Sequence, residues 1–254
     1  MRILALGDIV GKKTAEWLQA RLWGIRKQEK IDFVIANGEN VSDIRGICAA
    51  DAEALLGTGV DLITLGNHTF GKRDIYPILE RGEGIIRPAN YPPHTPGDGY
   101  ALMTVGGWKI LCINVCGRVY MDAFADPFAT VERILAREAG NYDFAVMDIH
   151  AEATSEKLAL ARCFDGRVAV MFGTHTHVPT ADAQILPKGS GYVTDLGMCG
   201  PKNGILGTAT EDVLEKFRTM MPTVFHVADG EIGVQGVIFE VDGNKTKSVR
   251  RIEL

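Results

Sequence analysis

Eight side chains frame the chemistry this sequence could perform. Asp8, Glu39, Asn40, Asn67, His68, His150, His175 and His177 each come at or soon after the end of a short apolar run, and each offers an oxygen or nitrogen donor. The densest group is Gly173-Thr174-His175-Thr176-His177-Val178-Pro179, two imidazoles one residue apart behind the run Arg167-Val168-Ala169-Val170-Met171-Phe172. In extended backbone, alternate side chains point to the same side, which suits the two rings to holding metal. The flanking Gly and Pro mark a turn. A nitrogen and oxygen donor set without thiolate suits iron, manganese or zinc and argues against Cu(I) and iron–sulfur clusters. It is too large for one ion, since a catalytic zinc commonly takes three protein ligands. Two ions about 3.5–4 Å apart, with a bridging anion to offset their repulsion, account for it. Glu39, Asp8 or a hydroxide fits the bridging role. Such a pair serves phosphoryl transfer by orienting phosphate and nucleophile, acidifying water and stabilising charge that develops on oxygen. Imidazole also has the intrinsic pKa of a general acid near neutrality, and His68 adjoins Asn67.

The elements that must position these groups alternate along the chain. Apolar runs at 2–7, 32–36, 61–65, 144–149 and 167–172 read as buried strands, and segments 12–28, 49–57, 73–80, 128–139, 154–163 and 211–220 read as helices. Trp17, Leu18, Leu22 and Ile25 recur at helical spacing in the first of these, and Val213, Leu214 and Phe217 carry the last. Strand–helix alternation implies parallel βαβ units, whose ligands gather outside the carboxyl ends of the strands. The candidate ligands fall at five such ends. Singly, each has a plainer reading. Asp8 could cap the 12–28 helix, Glu39-Asn40 and Asn67-His68 could be turn residues, and His150 could be a satisfied core histidine. Five strand ends together are hard to obtain by chance. Thr154 with Lys157 forms a weak capping-box pattern. Residues 85–107 break the alternation with Pro88, Pro92, Pro93 and Pro96, and Gly106-Gly107 between two apolar runs signals a hairpin. The Pro-rich 88–97 loop, with Tyr91 and His94, reads either as a surface crossover or as a pocket cover that stacks a base. Residues 192–197, 224–228, 233–241 and 246–252 read as further strands. No repeat or linker divides the chain, so residues 1–254 are expected to form one domain.

Composition limits the function classes. The chain has 254 residues, 46% hydrophobic and 23% charged, with net charge −5. This is an ordinary balance for a globular protein, and the length is ample for a sizeable core. The acidic balance disfavours an extended nucleic-acid groove. No apolar run approaches a membrane span and no secretory leader pattern is present, so a cytoplasmic protein without membrane association is expected. The five cysteines read as buried free thiols of a reducing compartment, and Cys112-x-x-x-Cys116 lacks the second pair a zinc site needs.

Gly7-Asp8, Gly66-Asn67-His68, a lone His150 after a strand and Gly173-Thr-His175-Thr-His177, in this order, resemble the motifs of the calcineurin-like metallophosphoesterases. The sequence departs from that pattern at two places. Position 10 carries Val10 where the superfamily has histidine, and Gly38-Glu39-Asn40 stands where it has Gly-Asp. With these changes, Gly-Asp-Ile-Val-Gly at 7–11, Ala-Asn-Gly-Glu-Asn at 36–40 and Gly-Thr-His-Thr-His-Val at 173–178 resemble the YmdB-type branch over nearly the whole chain. The resemblance implies an α/β fold with mixed sheets in a four-layer αββα sandwich. It also implies a binuclear metal centre, with iron favoured and manganese or zinc as alternatives. One metal would take Asp8, Glu39, Asn40 and His177, the other Glu39, Asn67, His150 and His175, with Glu39 bridging and His68 as the proton donor. The implied activity is phosphodiester hydrolysis of small substrates, 2′,3′-cyclic nucleotides first, by a metal-bound hydroxide attacking phosphorus in line. A phosphomonoesterase, with Arg45, Lys72 and Arg73 meeting the extra charge, or a nuclease are the alternatives on the same site. A metal-dependent regulatory, RNA-associated protein with little turnover is the alternative outside enzymes. The expected partner is a small phosphodiester; an RNA-related substrate and a homo-oligomer remain open.

Overall fold

The computed structural model describes residues 1–254. In chain order the elements are β1 (Arg2–Leu6), β2 (Asp8–Ile9), α1 (Lys12–Glu29), β3 (Phe33–Asn37), α2 (Ala49–Gly57), β4 (Leu62–Thr64), a 3-10 turn (Arg73–Ile75), α3 (Tyr76–Arg81), β5 (Ile85–Ile86), β6 (Tyr100–Val105) and β7 (Trp108–Cys116). There follow α4 (Pro127–Arg137), β8 (Phe144–His150), α5 (Thr154–Cys163), β9 (Val170–Thr174), β10 (Gln184–Ile185), β11 (Gly191–Val193), β12 (Met198–Pro201), α6 (Thr210–Thr219), β13 (Ile232–Asp242) and β14 (Lys245–Glu253).

Two sheets result. The first runs β2-β12-β13-β1-β3-β4-β5, with β14 also paired to β13, and the second runs β10-β11-β9-β8-β7-β6. β1, β3, β4 and β5 are mutually parallel, as are β7, β8, β9 and β11. Continuous apolar runs such as Phe33–Ala36 and Phe144–Met147 are what a parallel sheet covered on both faces demands, and every residue of β3 and β8 is buried. The face-to-face core between the sheets contains Ile3, Phe33, Ile35, Ile110, Phe144, Val170, Phe172 and Phe239. On the outer face of the first sheet, Leu4, Val34 and Ile63 pack with Leu18, Leu22, Leu55 and Leu79 of α1, α2 and α3. Leu111, Ile113 and Met147 of the second sheet pack with Val131, Ile134 and Leu160 of α4 and α5. The layers are therefore helix, sheet, sheet, helix, as the resemblance implies. The hairpin also forms: Gly106 and Gly107, at φ 56° and 86°, join β6 to β7 in the conformation a two-residue turn requires. No helix is long and apolar enough to cross a membrane.

Several sequence readings differ from the structure. Residues 224–228 form no strand; Val227 makes one isolated bridge to Thr208. The 192–197 strand is shorter, Gly191–Val193, and a second strand, β12, follows it in the other sheet. The 167–172 strand is displaced to Val170–Thr174, so Gly173 lies inside it instead of marking a turn. A Cβ at Gly173 would sit 1.8 Å from the Thr194 carbonyl oxygen, and this close approach explains the glycine. The 211–220 helix does form, as α6, with Val213 buried and Leu214 and Phe217 exposed. Thr154 does not cap α5, whose N-cap is Ala153 without a side-chain bond. Cys163 is exposed and Cys48 half-buried; Cys112, Cys116 and Cys199 are the buried thiols.

Candidate metal centre

A group of the polar residues buried in this fold gathers at one place. Asp8, Asn37, Glu39, Asn40, Asn114, Asp148, His150 and Thr174 are all buried, and burying such groups is costly unless they find partners. The residues after β1, β3 and β4 in the first sheet meet those ending β8 and following β9 in the second. Nε2 of His150 lies 3.1 Å from Oε1 of Glu39, 3.0 Å from Oδ1 of Asn67 and 3.1 Å from Nδ1 of His175. Nε2 of His177 lies 3.7 Å from Oδ1 of Asp8. The Asp8 Oδ2 atom accepts the backbone N–H of His175 at 3.0 Å, and Glu39 Oε2 accepts that of His68 at 2.9 Å. Asp8 is thus not the cap of α1, whose N-cap is Gly11.

The outward partners of the three histidines fix which nitrogen faces inward. The Thr174 hydroxyl donates to Asp148 at 2.7 Å, so its oxygen is left to accept Nδ1–H of His150 at 2.9 Å. His177 Nδ1 is 3.0 Å from the Leu206 carbonyl, which can only accept. His175 Nε2 is 3.1 Å from Oε2 of Glu152. One nitrogen of each ring therefore points inward: Nε2 of His177 toward Asp8, Nδ1 of His175 toward His150, and Nε2 of His150 toward the acceptor oxygens of Glu39 and Asn67, while the Asn37 amide nitrogen also reaches His150 Nδ1 at 3.3 Å. Oδ1 of Asp8 and Oδ1 of Asn40 are buried with no hydrogen-bond partner. Acceptors that face one another across a buried space fit cations, and Glu39, His150 and His175 bring their ligand atoms within 4.8 Å.

The electrostatics agree. Burial alone would raise the Glu39 carboxyl, but His150 and the His68 N–H bring it down to about 2. Burial alone would lower His150, yet Glu39 and Asp8 raise it to about 9. Burial, then the charge on His150, pushes His175 down to about 3. Burial raises Asp8 although His177 and His150 oppose it. One proton held between Glu39 and His150 does the work a cation would do. Burial raises Asp148 to about 6.

Gly66 belongs to the site as well. A Cβ there would lie 2.2 Å from His150 Nε2 and 2.5 Å from Glu39 Oε2. His175 and His177 both have left-handed backbone, φ 96° and 63°, a conformation uncommon outside glycine. The expectation of extended backbone is thereby overturned, and the two rings turn to different partners. Thr176, between them, is anchored by its N–H and hydroxyl to Asp195, which also receives Lys157 Nζ at 2.7 Å.

A cavity of about 330 Å³ opens over this cluster, lined by Val10, Asn40, Arg45, His68, His175 and His177 among others. Val10 puts an apolar wall where the superfamily has a histidine. Burial lowers the His68 ring, opposed by Glu39 and reinforced by Arg45. Tyr91 neither covers the cavity nor offers a free face. Its hydroxyl lies 3.2 Å from the Asn67 carbonyl, its ring packs edge-on against Phe70 and Phe124, and His94 is exposed. The Pro-rich loop is thus a brace behind the Asn67 turn. Arg73 lies exposed in the 3-10 turn, away from the cavity. Sequence reasoning gave no functional role to Gly66, Asp148, Thr174, Lys157 or Asp195. A buried acid inside an apolar strand, Asp148, was the one legible signal among them.

A family model described as YmdB-like protein matches residues 4–253. The chain is 40% identical over 250 residues to a 2′,3′-cyclic-nucleotide 2′-phosphodiesterase of Bacillus subtilis, covering 98% of this chain and 95% of that protein. It superposes with a TM-score of 0.93, at 34% identity, on the structure of a novel phosphatase from Mycoplasma pneumoniae, covering 100% of this chain and 93% of that one. A 5′-nucleotidase precursor from Thermus thermophilus shares the fold at a TM-score of 0.56 and 14% identity, with 100% of this chain and 54% of that chain covered.

Proposed function

The chain belongs to the YmdB-like family, and on that premise we propose that it is a metal-dependent phosphodiesterase acting on small phosphodiesters, with 2′,3′-cyclic nucleotides as the first substrates to test. The observation that carries this reading is the convergence of one nitrogen from each of three histidines on the buried oxygens of Asp8, Glu39 and Asn67, with Oδ1 of Asp8 and of Asn40 left unpartnered. Asp8, Asn40 and His177, with Glu39, would hold one metal ion; Asn67, His150 and His175, with Glu39, would hold the other. The donor set suits iron, manganese or zinc. Bound there, two such ions would activate a water molecule toward phosphorus and neutralise charge on the phosphate oxygens.

The chain's own residues do the rest. Asn37 and Thr174, the latter bonded to Asp148, hold Nδ1 of His150 so that Nε2 points inward, and the Leu206 carbonyl does the same for His177. Val10 and Leu206 give the cavity an apolar wall. His68 lines the cavity beside Glu39, in reach of a leaving oxygen, and serves as its proton donor. Arg45 at the mouth faces the anionic substrate.

A proton donor matters most where the leaving group is poor. His68→Ala is expected to lower kcat on a 2′,3′-cyclic nucleotide about 10²–10³-fold and kcat on an activated nitrophenyl diester far less. Equal losses on both substrates would remove His68 from that role. Loss of turnover on diesters but not on monoesters after metal loading would refute the phosphodiesterase reading in favour of a monoesterase.

A further inference from the structure

Beside the cavity over the candidate metal centre lies a second one, of about 420 Å³. The two share Ile44, Arg45 and Phe225, so they form one continuous groove. The second is basic. Arg45, Lys72 and Lys216 line it against a single carboxylate, Asp43, in a chain whose net charge is −5. Lys72 pairs with Asp43 at 3.2 Å, but the two side chains are 35% and 77% exposed, and such a pair is weak enough for an anion to displace. Lys216 Nζ donates to the Met221 carbonyl at 3.2 Å, which keeps the ammonium near the end of α6. Phe225, half-buried in the shared wall, offers a face on which a base can stack.

Lys72 and Lys216 do not line the cavity over the metal centre. They are therefore misplaced for the second charge of a monoester held there, and well placed for another phosphate further along the groove. Resting on the phosphodiesterase reading, we propose that this second cavity is a phosphate subsite. Its ligand is the phosphate on the 5′ oxygen of the nucleoside whose 2′,3′-cyclic phosphate is cut, as at the cyclic-phosphate end of a short oligonucleotide. Arg45 spans the two phosphates, Lys72 and Lys216 neutralise the outer one, and Phe225 meets a base.

The experiment compares three substrates on the metal-loaded protein: a nucleoside 2′,3′-cyclic phosphate, the same compound with a free 5′-phosphate, and a dinucleotide ending in the same 2′,3′-cyclic phosphate. With Arg45 exposed and Lys72 and Lys216 half-buried, each cation worth about twofold to threefold, kcat/KM is expected to rise about tenfold for the two substrates that carry the outer phosphate. That preference should shrink as salt is raised. In the double variant Lys72→Glu, Lys216→Glu the ratio should fall toward one; both side chains are at the surface, and circular dichroism checks the fold. Gain with the dinucleotide alone assigns the subsite to an oligonucleotide end, and gain with both assigns it to the phosphate itself. Equal kcat/KM for all three, or a ratio that survives the charge reversal, overturns the proposal. If no cyclic phosphate is turned over, the phosphodiesterase reading fails instead. Binding of the same dinucleotide to wild-type and charge-reversed protein, measured by calorimetry, then decides the subsite independently.

Discussion

At the scale of single residues, the least conspicuous member of the centre is Gly66. Its neighbours His150 and Glu39 occupy the space a side chain would need, so the glycine is required by packing against two candidate ligands. In Gly66→Ala the methyl group must push His150 Nε2 and Glu39 Oε2 apart. Overpacking of this kind costs about 1–3 kcal/mol, and the fold should survive it. Metal content is expected to drop by at least one equivalent per chain and turnover by about 10–100-fold, the range seen when support of a ligand is lost. Elemental analysis of the purified variant checks this, and full metal loading would show that the ligands can yield without consequence. The candidate ligands were legible as donors, because histidine, aspartate and glutamate after apolar runs carry their chemistry in the side chain. Gly66 was not, because what it contributes is absence of atoms, and only the neighbours reveal that.

At the scale of elements, the segment after β9 depends on an ion pair that sequence patterning misread. Lys157 looked like part of a cap for α5; it is instead fully buried on that helix, bonded to Asp195, which also holds Thr176 through its N–H and hydroxyl and the Gly197 N–H through its other oxygen. Four donors on one carboxylate fix the loop whose two histidines take left-handed backbone. Asp195→Ala leaves a buried ammonium uncompensated, and a loss of about 3–5 kcal/mol is expected in chemical denaturation. The double variant Lys157→Met, Asp195→Asn leaves no unpaired charge and should recover much of that stability. Its activity should stay low, since Thr176 loses its carboxylate anchor. Recovery of both together would mean that the pair supports the fold alone and does not position the loop.

At the scale of the whole molecule, the centre is a seam. Asp8, Glu39, Asn40, Asn67 and His68 come from the first sheet, and His150, His175 and His177 from the second, so groups bound there tie the two halves of the sandwich together. A ligand present at 100 times its dissociation constant stabilises by about 2.7 kcal/mol. With roughly 2–4 °C per kcal/mol for a chain of this size, removal of metal by a chelator is expected to lower Tm by about 5–10 °C. Calorimetry of chelated and reloaded protein measures it. An unchanged Tm would mean that the cluster holds no ion in the folded protein.

Strand ends, donor side chains and motif order could be read from the sequence, because apolar runs and donor side chains are local properties of the chain; the layered architecture came only through the family resemblance that the motifs carry. The tertiary structure decided what depends on neighbours distant in sequence. It set which nitrogen of each histidine faces inward, through Thr174, Leu206 and Glu152. It turned Tyr91 into a brace by packing it between Phe70 and Phe124. It also drew Arg45, Lys72 and Lys216 around one groove, although up to 171 positions separate them in a chain of net negative charge. Tautomer, brace and groove are relations between elements, and no single stretch of sequence contains them.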